Sequence, residues 1–157
     1  MNRVSKLGCA ALSVAAISIA FAQNGPPNPQ QRAEMALKVR QGLFDVQSFA
    51  FAPVGAMLKG APFNADAAVT AAKRIQVTAS MIPDVFKDDT SKFTLKTRAR
   101  AGIWTNMADF TQKAHDLQQA AAGLEMAAMT GDKAETMKAA VAVGKSCGAC
   151  HDEYREK

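Results

Sequence analysis

Val143-Gly144-Lys145-Ser146-Cys147-Gly148-Ala149-Cys150-His151-Asp152-Glu153-Tyr154-Arg155 stands near the end of a 157-residue chain, and its central pentapeptide organises the reading of all that precedes it. Two thiols three residues apart lie on one side of a helix, about one turn from each other, where both reach the vinyl groups on one edge of a porphyrin. A histidine directly after the second cysteine falls four residues beyond the first, so its imidazole can swing beneath the macrocycle and ligate iron. Cys147, Cys150 and His151 thus supply two thioether links and one axial ligand for a single covalent haem c. Redox dithiols use the same Cys-x-x-Cys core, but at a helix N-terminus in a βαβ setting, whereas here a long helical pattern comes first. Structural zinc needs four ligands, and outside this motif residues 23–157 offer only His115.

The other end of the chain agrees with that chemistry. Residues 1–22 read as a cleaved secretory signal: Arg3 and Lys6 form the basic start, Leu7 to Ala20 the apolar run, and Ala20-Phe21-Ala22 a small-x-small cleavage site. The run is shorter than the ~20 residues of a bilayer span, and Gly25, Pro26, Pro27 and Pro29 follow at once. Cys9 precedes the apolar run and leaves with the signal. A haem c precursor exported from a bacterial cytoplasm arrives in the periplasm, which is the expected location.

Residues 23–157 have the length of one domain with a single core. Alanine is abundant and no period-two alternation persists, so the composition is helical. Without Arg3 and Lys6 the 19 basic residues become 17, against 14 acidic, a formal charge of +3 before haem propionates are counted. The charges are interspersed without a basic block, which argues against nucleic-acid and membrane binding and leaves a mildly attractive surface for an acidic redox partner.

Four helical segments follow. Segment A, from about Gln30 to Leu58, places Val39, Leu43, Val46, Ala50 and Pro53 at alternating four- and three-residue steps, with Pro53 expected to kink or tighten its last turns. Lys59-Gly60-Ala61-Pro62-Phe63 breaks helix, Asn64 caps segment B, and Pro83 ends it at Ile82. Residues 83–97 form the longest irregular stretch, a flap over one helix end. Segment C, about Arg98 to Met129, keeps a strict four-three rhythm through Ile103, Met107, Phe110, Ala114, Leu117, Ala121, Leu124 and Ala128, which is a bundle seam. Thr130-Gly131 stops it, and Asp132 with Glu135 resembles a capping box opening segment D, whose stripe runs Met137, Val141, Gly144, Cys147, His151. The expected fold is all-α: an antiparallel up-down four-helix bundle with covalently attached haem c lodged between helices near one end.

Ala36-Leu37-Lys38-Val39-Arg40-Gln41, Met57-Leu58-Lys59-Gly60, Ile103-Trp104, Gly131-Asp132 and the terminal motif together carry a family likeness over essentially the whole of residues 23–157. The chain resembles a class II c-type cytochrome, and most of all cytochrome c prime. In low-spin members of that class a methionine of segment A takes the sixth position on iron, whereas in cytochrome c prime an apolar residue stands there. Spacing from Arg40 forward and from Lys59-Gly60 backward brings that position to Phe44, which has no electron pair to donate. The resemblance therefore implies a five-coordinate, high-spin haem, closed on its distal face by Phe44, that binds small diatomic gases. The alternative is a low-spin electron carrier with a methionine ligand, for which Met35 would have to serve although it lies nine residues earlier.

The same resemblance places Arg40 beside a haem propionate and Arg155 in the proximal pocket, and lets Phe86 and Trp104 wall the haem; ordinary core packing accounts equally for those two rings. It implies a homodimer through segments A and B. His115 reads as solvated and the remaining methionines as core or boundary residues. Around Phe44 the resemblance implies an apolar distal side with no obvious hydrogen-bond donor, favouring carbon monoxide and nitric oxide over dioxygen. An enzyme, such as a peroxidase or nitric oxide reductase, would want distal acid or base groups that are not visible there. The expected function is reversible gas binding, with a role in nitric oxide tolerance or transport and slow electron transfer to an unidentified partner.

Overall fold

Helix ends are set locally by short-range chemistry. The computed structural model describes residues 25–157, so the expected signal with its expected cleavage site, and Cys9, lie outside the described residues. Helix α1 spans Pro29–Leu58, with proline in its first turn and a reciprocal capping box: the Asn28 side chain accepts from the Gln31 N–H at 2.9 Å while Gln31 Oε1 accepts from the Asn28 N–H at 2.8 Å. Helix α2 spans Ala65–Val85, capped by Asn64 as expected, through a 2.9 Å bond from the Ala67 N–H. A four-residue helix α3, Gly102–Thr105, precedes α4, Met107–Met129, and α5 runs Lys133–Tyr154. Gly131 ends α4 at φ 73°, in the left-handed region that glycine enters freely.

Two boundaries and one cap differ from the sequence reading. Helix α2 passes through Pro83 and ends at Val85, because a proline in the last turn removes only one N–H while the buried Ile82 and Phe86 hold that turn to the core. Segment C is interrupted at Asn106, so Ile103 continues the seam from α3 across the break. Asp132 caps α5 by accepting from the Glu135 N–H at 3.0 Å, but the other half of the box is replaced: its own N–H donates to Thr130 Oγ1 at 3.2 Å.

The four long helices run up and down. Helix α2 packs along α4 and α1, its inward face lined by Ala68, Ala71, Ala72, Ile75, Ala79 and Ile82; the small residues let the backbones approach. Helix α4 meets α5 through the predicted seam, buried from Phe110 to Ala128. The fourth edge of the square is different, for α1 and α5 barely touch. Antiparallel order brings the start of α1, the end of α2, the start of α4 and the end of α5 to one end of the bundle.

Two helices face inward with a register other than the expected one. On α1 the buried line is Ala33, Arg40, Leu43, Ala50, Val54 and Met57. Val39 (57% exposed) and Val46 (54%) instead join Met35 (56%) and Phe49 (68%) on an outer apolar stripe. The α1 sequence carries two apolar stripes at heptad spacing, and the sequence reading took residues from both. On α5 the buried line is Thr136, Ala140, Val143 and Tyr154, with the half-buried Cys147 and Cys150 at the seam positions between, while Val141 is exposed. The two cysteines are thus part of the seam itself.

Tyr154 ties α5 to α4. Its hydroxyl donates to Asp109 Oδ2 at 2.6 Å, and its ring meets Phe110 edge-on at 5.2 Å. Residues 86–101 cross this end of the bundle and pair with the chain's last residues: the Arg100 N–H donates to the Tyr154 carbonyl at 3.0 Å, and the Glu156 N–H to the Arg98 carbonyl at 2.8 Å. Among the described residues no helix is long and apolar enough to cross a membrane.

Burial first, then the bond to Asp109, hold the Tyr154 phenol neutral well above its ordinary range. A group whose pKa is raised on folding contributes stability below its unfolded value, about pH 10, and that contribution is lost as pH rises further toward the folded value. Thermal melting between pH 10 and 11 should therefore fall more steeply in the native protein than in Tyr154→Phe; parallel pH profiles for the two would contradict this linkage.

Candidate haem-binding site

The thiols come first, since they are the only described cysteines. Both are half-buried and unpaired at consecutive seam positions on the last turns of α5. Burial raises the pKa of Cys147. Burial also pushes Cys150 up to about 11, against the pull of nearby Lys113. Two unpaired thiols at consecutive positions of an apolar seam are available for thioether attachment to an apolar ring. Consistent with this, no group of three or more metal-ligating side chains forms among the described residues.

His151 lies one position beyond Cys150, half-buried on the flank of the seam. Burial is the main cause that lowers its pKa, followed by the positive charges of Arg155 and Arg98. Its neutral imidazole, the form that can ligate a metal, is favoured. Arg155 itself is exposed and leaves the helix in extended conformation, pairing with Ala99 as an isolated antiparallel bridge.

A second group of predicted residues gathers around the middle of α1, beside the end of α2. The Phe44 ring, 36% exposed, lies 6.2 Å from the buried Phe86 ring; Phe86 lies 6.2 Å from Trp104 and 4.9 Å from Phe110. Trp104 fixes its indole by donating from Nε1 to the Phe86 carbonyl at 2.9 Å. Arg40 is buried beneath these rings, its guanidinium carbon 4.6 Å from the Phe86 centroid and 5.2 Å from that of Trp104.

Arg40 also organises the flap. Nε donates to the Val85 carbonyl at 2.8 Å, Nη1 to Thr90 Oγ1 at 2.6 Å and Nη2 to the Asp88 carbonyl at 2.7 Å. Burial lowers its pKa while Asp88 and Asp89 raise it, and a guanidinium keeps its charge in such a setting. Three of its five N–H groups are committed to the segment that follows α2, and two remain. The sequence reading assigned Arg40 to a propionate and missed this structural task, because Asp88 and Thr90 lie some fifty residues away in an irregular stretch with no period to read.

Phe44, Phe86, Phe110 and Tyr154 form one aromatic chain from α1 to α5. From sequence Phe110 reads as seam alone, and Tyr154 only as part of the motif's surroundings. The cysteines, the histidine and this aromatic wall lie at the same end of the bundle, flanking the α1–α5 edge where the helices themselves scarcely meet. Phe44 on α1 and the half-buried thiols on α5 border that edge with apolar surface still open. A flat apolar macrocycle tethered to α5 fits these residues. His115 is exposed, as expected.

The family model "Cytochrome C'" matches residues 35–155. The chain belongs to the cytochrome c' family. It is 36% identical over 128 residues to a cytochrome c' of Cereibacter sphaeroides, covering 80% of this chain and 85% of that relative. The crystal structure of cytochrome c' from Thermochromatium tepidum superposes with a TM-score of 0.71 at 31% identity, over 80% of this chain and 97% of that one. A nitric oxide complex of a mutant cytochrome c prime from Alcaligenes xylosoxidans does so with a TM-score of 0.68, also at 31% identity, over 80% and 97%. With the cytochrome c' family comes one covalent haem c, and Cys147 to His151 are the matching attachment motif.

Proposed function

We propose that this cytochrome c' is a periplasmic haem protein with a five-coordinate, high-spin iron that reversibly binds nitric oxide and carbon monoxide. Cys147 and Cys150 hold the haem by thioether links, His151 is its iron ligand, and the haem supplies the open coordination position that a diatomic ligand takes. Solved relatives with nitric oxide bound support the ligand class.

One observation carries the coordination number. Phe44 lies on the half-open flank of α1 beside Phe86, whereas Met35, nine residues earlier, is half a turn round the helix at 100° per residue and stands on the outer stripe. A methionine facing away from the α1–α5 edge is poorly placed to ligate a haem there, which speaks against the residue the electron-carrier alternative needs. Phe44 must move aside before a gas enters, so its ring acts as a size filter and slows association. Arg40, with two N–H groups uncommitted, can meet a propionate while it holds the flap. Arg155, close enough to act on His151 electrostatically, fits a role on the proximal side. Nitric oxide tolerance or transport, with slow electron transfer to an acidic partner, is the physiological role this arrangement suits.

Met35, Val39, Val46 and Phe49 on the outer stripe of α1, with Val77 and Met81 on α2, leave large apolar side chains exposed on two neighbouring helices. That exposure supports a homodimer through α1 and α2. Sedimentation equilibrium should give a dimer that Phe49→Lys dissociates; a monomeric native protein would contradict it.

Replacing Phe44 by alanine tests the gate. Carbon monoxide association, followed by stopped-flow absorbance on the ferrous protein, should accelerate about tenfold or more, which corresponds to roughly 1.4 kcal/mol of barrier removed. A rate within twofold of the native value would show that Phe44 does not cover the binding face.

A further inference from the structure

Gln47 breaks the apolar line on the inner face of α1. It falls four residues after Leu43 and three before Ala50, both buried, so it occupies a seam position. Among the described residues its Oε1 is the one buried side-chain polar atom without a hydrogen-bond partner. A glutamine amide brings two donors and one acceptor, and leaving a buried amide atom unpaired is costly unless something compensates elsewhere.

Its angular position on α1 says where compensation lies. At 100° per residue, Gln47 stands between two flanks of the helix. On one side Leu43 and Ala50 are buried; on the other Phe44, Leu37 and Phe51 remain partly open, and Phe44 is 60° away on the next turn. Gln47 therefore borders the same α1–α5 edge that the cysteines and Phe44 border, on the side of α1 facing the bundle interior.

We propose that Gln47 is the polar group of the distal side, whose amide donates a hydrogen bond to the outer atom of a bound diatomic ligand. This rests on the placement of the haem at the α1–α5 edge argued above, and it revises the expectation of a wholly apolar distal side. The two ends of an amide are interchangeable by rotation about its last bond, so the orphaned oxygen position can equally present N–H. Donors on that side favour ligands that shift charge to their outer atom, so Gln47 lessens the disadvantage of dioxygen and favours nitric oxide over carbon monoxide. Phe44 decides how fast a ligand enters, and Gln47 decides which ligand stays.

The test is Gln47→Leu, read on the haem-loaded ferrous protein by the infrared stretch of bound carbon monoxide and by thermal melting without ligand. The native protein should show the lower carbon–oxygen stretching frequency. The variant should show a higher frequency, a faster nitric oxide release and an unchanged or raised melting temperature, because leucine leaves no amide unpaired. Identical frequencies in the two proteins would overturn the assignment, and so would a lowered melting temperature with no frequency change, which would make Gln47 a packing residue. If the native protein takes up no carbon monoxide at all, the gas-binding reading itself fails, an outcome separable from the other two.

Discussion

Helix α5 places its two cysteines where a bundle seam asks for large apolar side chains, and the rest of the molecule answers to that. A thiol is small, and two of them on consecutive inward positions cannot fill the space that leucine or phenylalanine would fill on the facing helices. The edge between α1 and α5 is accordingly the one side of the square where the helices scarcely meet. A covalently tethered macrocycle makes that edge whole, with its large apolar faces taking the part of the missing side chains. The covalent link and the open seam are two aspects of one requirement.

Holding such an edge in shape without direct helix contact falls to the neighbouring elements. The segment after α2 crosses the same end, pinned on one side by the buried Arg40 and on the other by its pairing with residues 154–156. The rings of Phe44, Phe86, Phe110 and Tyr154 link α1 to α5 by way of α4, so the distance across the edge is set by aromatic packing. Charge-assisted bonds from Arg40 and the short Tyr154–Asp109 bond lock both ends of that chain. The α5 side, with the cysteines and His151, and the α1 side, with Phe44, are then positioned by separate elements, as the proposed ligand-admitting site requires.

What could be read from residues alone divides along physical lines. The Cys147-to-His151 spacing is a covalent-geometry constraint and is visible in any window of five residues. The α4 seam was legible because that helix carries a single apolar stripe, and Asn64 and Asp132 because caps are local. Helix α1 was misread at Val39 and Val46, where a second apolar stripe about a quarter turn round the helix competes with the first at the same period. That error hid Gln47, since a register placing Val46 inward turns its neighbour away. Arg40's partners on the flap and the Tyr154–Asp109 bond link positions about forty-five residues or more apart, and no local pattern encodes such pairs.

The claim at the centre is that a haem held by Cys147, Cys150 and His151 keeps one iron position free beneath Phe44. Electron paramagnetic resonance of the purified ferric protein, with the optical spectrum of its ferrous form before and after carbon monoxide, tests that directly. The account predicts a high-spin ferric signal and a ferrous spectrum that shifts on carbon monoxide addition. A low-spin ferric signal with a ferrous form indifferent to carbon monoxide would mean a second protein ligand on the iron, and would contradict it.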